Sequence, residues 1–168
     1  MNITNIKAND AIVYSGNVHI QYKFNKKTKH IRKHNAGKLA LFTSIVLALG
    51  ERIEDATAFM PRYINAKDAD GDDCLTSKVV LQNRSYFKQQ ANGTMLSCLP
   101  NEADTLRYTF VIPVGVLISG KNIKKLLLVN TRDDECAEIN LGTATISTNV
   151  NANLLIYWDL TFADAATA

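Results

Sequence analysis

Three histidines (His19, His30, His34), three cysteines (Cys74, Cys98, Cys136) and two acidic runs, 68–73 and 133–138, are the groups of this 168-residue sequence whose types could do chemistry. His30 and His34 have the i, i+4 spacing that seats two metal ligands on one helix face. Ile31-Arg32-Lys33 between them adds cations and no carboxylate. On an extended chain the pair stands roughly 13 Å apart, at ~3.3 Å per residue, too far for one ion. The run Asp68-Ala69-Asp70-Gly71-Asp72-Asp73 alternates carboxylates as calcium-binding loops do. Counted from Asp68, however, Asp73 stands where the loop needs glycine and Val79 where it needs a bidentate glutamate, so a polar loop is expected. Nucleophilic catalysis needs a serine or cysteine held by a base. All the histidines fall within residues 19–34, and neither a GxSxG elbow nor a phosphate-cradling glycine pattern occurs. A two-carboxylate glycosidase site is not supported either. The expectation is a non-enzymatic protein with no cofactor and no metal.

The sharpest feature is electrostatic. Residues 23–38 hold seven of the 19 lysines and arginines, two histidines and no acid, leaving 12 basic against 16 acidic side chains elsewhere. A chain of net charge +3 is thus strongly polarised, and local fields rather than totals attract partners. The segment reads as a contact surface carried by Lys26, Lys27, Lys29, Arg32 and Lys33, with the acidic runs of a neighbouring copy as its complement. A nucleic-acid surface is the alternative, less favoured because Phe24 is the only aromatic available for stacking. A merely solvated hairpin, protected by its charges from edge pairing, is the third reading.

These groups need a scaffold. At 18.6 kDa, 46% hydrophobic and 21% charged, the chain is sized for one domain spanning 1–168, with a core hiding about 70% of the unfolded surface. The longest apolar stretch, 39–49, falls well short of the ~20 residues that span a bilayer, so no membrane partner is expected. The opening MNITNIKANDAIVY lacks a signal peptide's basic and apolar regions, and the odd, scattered cysteines suit synthesis in a reducing cytoplasm.

Strand signals dominate. Residues 12–24 alternate with period two, placing Val18, Ile20, Tyr22 and Phe24 against Asn17, His19, Gln21 and Lys23. Further strands are expected at 28–33, 59–65, 78–81, 86–90, 94–99, 105–112, 123–130, 136–141 and 153–162, with Asn92-Gly93 as a hairpin turn. In the last strand Leu154, Ile156, Trp158, Leu160 and Phe162 share one face, and residues 163–168 form a frayed tail. A single helix is expected at about 36–49, capped by Asn35, closed by Gly50 as its left-handed residue, and buried by a wide apolar face. The fold class is therefore mainly β: an antiparallel β-sandwich, jelly-roll or immunoglobulin-like, with one short buried helix.

Lys29-His30-Ile31-Arg32-Lys33-His34-Asn35-Ala36-Gly37-Lys38-Leu39-Ala40-Leu41-Phe42, followed by Leu47-Ala48-Leu49-Gly50 and Met60-Pro61-Arg62-Tyr63-Ile64, resembles virion structural proteins of tailed bacteriophages, particularly the crAss-like phages. The likeness covers about residues 18–65. It implies a homo-oligomeric building block of the tail or head–tail junction, such as a ring or collar. Its partners would be copies of itself and other virion proteins (portal, tail or fibre components), and its location the virion. A head or tail fibre or decoration module is the alternative, and a nucleic-acid-contacting protein using residues 23–38 the next.

Overall fold

The computed structural model describes residues 12–24, 27–92, 94–150 and 152–164. Strands take 49% of the chain and helices 17%, so the class is mainly β, and the fold is sandwich-like. Strands β1 (Ile12–Phe24), β2 (Lys27–Gly37), β3 (Tyr63–Lys67), β4 (Val79–Val80), β5 (Asn83–Gln89), β6 (Met95–Ser97), β7 (Thr105–Ile112), β9 (Lys125–Val129), β10 (Glu135–Asn140) and β12 (Leu154–Asp164) form one sheet. Its order is β4-β3-β9-β10-β2-β1-β12-β7-β5-β6, and β8 (Asn122–Ile123) pairs separately with β11 (Ile146–Ser147). Every pairing is antiparallel.

The two halves of the large sheet meet at a narrow seam, where Ala36 and Gly37 of β2 pair with Glu138 and Ala137 of β10. Both halves feed one core. Val18 pairs across to Trp158 and on to Tyr108, and Ile20 to Ile156 and on to Phe110; from the other half come Ala66–Leu126–Ile139 and Ile64–Leu128–Ala137. Alternation thus does in three dimensions what it promised in sequence: Leu154, Ile156, Trp158 and Leu160 are buried, and Phe162 packs partly against them. Strand β12 continues to Asp164, past the expected start of fraying, and 165–168 lie outside the described residues. Strands β5 and β6 pair where the Asn92-Gly93 hairpin was expected, and Gly93 itself lies outside the described residues.

The helical region differs from expectation in four ways. Helix α1 runs Leu39–Leu49 rather than from about 36, because Asn35, Ala36 and Gly37 continue β2 into the seam; ladder pairing there outweighs the capping preference of Asn35. Lys38 takes the cap position with no side-chain cap hydrogen bond. At the other end Gly50 has an ordinary φ of −84°, and Glu51 is the left-handed residue at φ 61°. The Arg52 N–H bonds Leu47 O at 2.8 Å and the Glu51 N–H bonds Ala48 O at 3.1 Å, the two bonds of a Schellman closure set one residue later than the glycine suggests. Third, a second helix, α2 (Ile53–Phe59), occupies the start of the strand expected at 59–65. Glu54 and Asp55 sit favourably in its first turn, Asp55 pairs with Arg52, and Pro61 follows its end. Fourth, α1 is not a buried helix. It packs on β10 and α2 but buries only Leu41 and Ser44, while Leu39, Phe42, Val46 and Leu49 are 80%, 40%, 67% and 75% exposed.

Candidate functional site

Period-two geometry sorts the basic strand into two surfaces. Thr28, His30, Arg32 and His34 share one face of β2; Lys27, Lys29, Ile31 and Lys33 share the other, where Ile31 packs against the core beneath Ile20 of β1. The expected contact set is therefore divided: Lys27, Lys29 and Lys33 lie on the core-side face, Arg32 lies on the outer face, and Lys26 lies outside the described residues.

The outer face gathers what the sequence left scattered. Register places Arg32 beside His19 and His19 beside Tyr157 of β12; one step along, His34 sits beside Asn17, Asn17 beside Asp159, and Asp159 beside Arg107 of β7. His19 Nε2 and His30 Nδ1 are 2.8 Å apart, with their rings stacked at 5.1 Å, and the Tyr157 ring is 5.9 Å from His19. Burial, reinforced by the positive charges of Arg32, His30 and Arg107, pushes His19 below its ordinary value of 6.5. Arg107 donates from Nε and Nη2 to the two Asp159 carboxylate oxygens at 2.7 and 2.9 Å. Its guanidinium lies 4.6 Å from the centre of the Phe87 ring and 4.8 Å from that of Tyr157. Asp159 is buried, and its grip holds the guanidinium charge in place. Asn17, His19, Arg32, His34, Arg107 and Asp159 line a cavity of about 460 Å³.

Most of the other chemistry-bearing groups are engaged or buried, and Cys98 is a half-buried free thiol. Asp68, Asp70 and Asp72 do bring their carboxylates within 4.8 Å of one another. Asp68 Oδ1 already accepts the backbone N–H groups of Asp70 and Asp72, and Oδ2 accepts from Lys121 Nζ at 3.2 Å. Those bonds, the Asp72 amide foremost, hold its carboxyl below the usual range; the run works as a self-contained loop. Residues 133–138 are likewise engaged within the chain. Lys38 Nζ reaches Glu135 at 2.6 Å and Glu138 at 3.3 Å, Lys78 pairs with Asp133, and Arg132 pairs with Asp134. Asp68, Asp73 and the four acids of 133–138, expected to receive a neighbour's basic strand, thus already have partners within the chain. Cys74 and Cys136 are buried, and burial pushes their thiols up to about 11 and about 12, leaving them protonated at neutral pH.

A second surface, unforeseen in the sequence, is apolar. Leu39, Phe42, Val46 and Leu49 recur at helical spacing along one face of α1, and Ile53, 58% exposed, opens α2 just beyond the turn. At these fractions the five side chains present on the order of 500 Å². That is toward the top of the ~300–600 Å² of a monomer's largest apolar patch, and more than half of the ~800 Å² a standard interface takes from each partner. The signal was the unusual width of the apolar pattern over 39–49: one flank meets β10 and the other meets solvent.

Compared with models of protein families, with curated proteins and with solved structures, the chain matches none of them.

Proposed function

We propose that this protein is a non-enzymatic structural subunit that assembles with copies of itself through the apolar face of α1, as a ring- or collar-type component of a phage tail or head–tail junction. The observation that carries the reading is the exposed stripe of Leu39, Phe42, Val46 and Leu49 on a helix whose opposite flank is already packed. A second copy is the favoured occupant because an apolar helix face is self-complementary, and its area is that of a substantial part of an interface. The resemblance over residues 18–65 supports the virion setting, since that span contains both β2 and α1. Lys27, Lys29 and Lys33 add a salt-sensitive contact to a salt-resistant one. Other virion proteins would then meet the assembled ring.

The test is the mass of the purified full chain in solution, by light scattering over a concentration series at ~0.1 M and ~1 M salt, conditions that screen charge almost completely at the upper end. A discrete oligomer that persists at high salt is the expected result. A monomer at every concentration and salt overturns the proposal, and an oligomer that dissolves wholly in salt moves the contact from the helix to the basic strand.

A further inference from the structure

We propose that the cavity on the outer face of β2, β1, β12 and β7 binds a phosphate-type oxyanion, held by Arg32, His34 and His19 with Arg107 as a fixed guanidinium. Nothing in this rests on self-association through α1, which contributes no residue to the cavity lining.

Three observations converge. The first is charge. The guanidinium groups of Arg32 and Arg107 and the imidazoles of His19 and His34, with Lys33 at the rim, line one concavity with a single carboxylate, Asp159, and that carboxylate is already bound through both oxygens by Arg107. Among the described residues no salt bridge neutralises Arg32. Like charges around a hollow repel one another; burial first, and then the positive charges of Arg32, His30 and Arg107, disfavour a proton on His19. An anion in the hollow relieves it.

The second is rigidity. Arg107 is clamped by the bidentate pair and by the Phe87 and Tyr157 rings, so its guanidinium need not be immobilised on binding. Two of its five N–H donors serve Asp159, and three remain. Planar guanidinium donors match phosphate oxygens bidentately, and each imidazole can add an N–H donor. The third is room. About 460 Å³ is in the range of small-ligand pockets, ~300–1,000 Å³, and is larger than a bare phosphate needs. The chemistry recognised is therefore phosphate carried on something larger, either a free phosphate ester or the backbone of a nucleic acid strand.

All three histidines of the chain lie on this face, so their ring resonances report on it without background from the rest of the molecule. The full chain is titrated, with histidine-selective NMR detection, against inorganic phosphate, a nucleoside monophosphate and a short single-stranded oligonucleotide. Sodium chloride at equal ionic strength is the screening control. Saturable shifts of His19 and His34 are expected with at least one phosphate probe and not with chloride. A preference for the monophosphate identifies a free ester as the source, and a preference for the oligonucleotide identifies a strand backbone. Arg32→Ala, with Arg32→Gln run beside it, should weaken binding at least tenfold, whereas Arg62→Ala, an exposed cation ahead of β3 that does not line the cavity, should bind as the unaltered chain does. Shifts that chloride reproduces, or equal binding by the Arg32 variants that keep a dispersed spectrum, overturn the proposal.

Discussion

Truncating Leu49 to alanine separates an assembly surface from an ordinary exposed helix. Leu49 is 75% exposed, so folding hides only about a quarter of its side chain. Leucine exceeds alanine by three carbon groups, worth together ~2.4 kcal/mol when fully buried. About a quarter of that, ~0.6 kcal/mol, is the expected loss of fold stability, and alanine's better helix propensity returns part of it. The other ~1.8 kcal/mol is realised only when something covers the helix. In a two-fold contact both copies bring Leu49 to the interface, so the loss doubles to ~3.6 kcal/mol and the dissociation constant rises about 400-fold. In a head-to-tail contact the residue counts once, and the rise is about 20-fold. Sedimentation equilibrium across a concentration series measures the constant, and urea unfolding of the monomer measures the fold. The size of the change thus reports the symmetry as well as the contact. A change in association under about threefold, or a fold loss above ~2 kcal/mol with association untouched, refutes the reasoning.

Other outcomes follow from the same geometry. Glu51→Gly should stabilise the fold by roughly 0.5–1 kcal/mol in urea unfolding, because the left-handed position at φ 61° suits glycine. Arg107→Ala should cost about 3 kcal/mol by leaving the Asp159 carboxylate buried without its partner; the double variant with Asp159→Ala should be more stable than Arg107→Ala alone, again by urea unfolding. His19 should titrate below 6.5 by NMR. Its folded form resists the proton, so its contribution to stability is complete above 6.5 and is lost as pH falls through the lower folded value; His19→Gln should flatten that slope in unfolding measured between about pH 7 and 5.

The strands were legible because each half-buried strand writes its inward face into the sequence. Val18 and Ile20, or Ile156, Trp158 and Leu160, need no knowledge of their neighbours to declare a side. The same rule made the chemistry partly legible: His30, Arg32 and His34 alternate, so they had to share a face once β2 was extended. What could not be read was which strands lie beside β2. Arg107 and Asp159 are 52 residues apart in sequence and meet only because β7 pairs with β12. His19 and His30 meet only because β1 folds back on β2 in one particular register. The helix failed for a different reason. Local periodicity reports that a face is apolar, not what covers it, and α1 has more apolar surface than β10 and α2 can hide. The capping preference of Asn35 lost to a two-residue ladder with β10, a partner about a hundred residues away that no local window contains.

The junction between β2 and α1 has a further consequence. One residue, Lys38, separates Gly37 from Leu39, and it is tied down at both ends of its own structure: its N–H bonds Cys136 O at 2.8 Å, and its ammonium holds Glu135 and Glu138. The chain between the cationic face and the apolar face therefore contains no slack. Every residue from 27 to 49 is counted, by the pleat on one side and by the helical turn on the other. A single insertion between Lys33 and the seam would turn Arg32 toward the core-side face and bring the Lys33 side chain to the outer face, while the seam held α1 where it is. This stretch can change its letters but not its length. Loops such as the one between β5 and β6, which connect strands without joining two working surfaces, are where the sequence is free to grow.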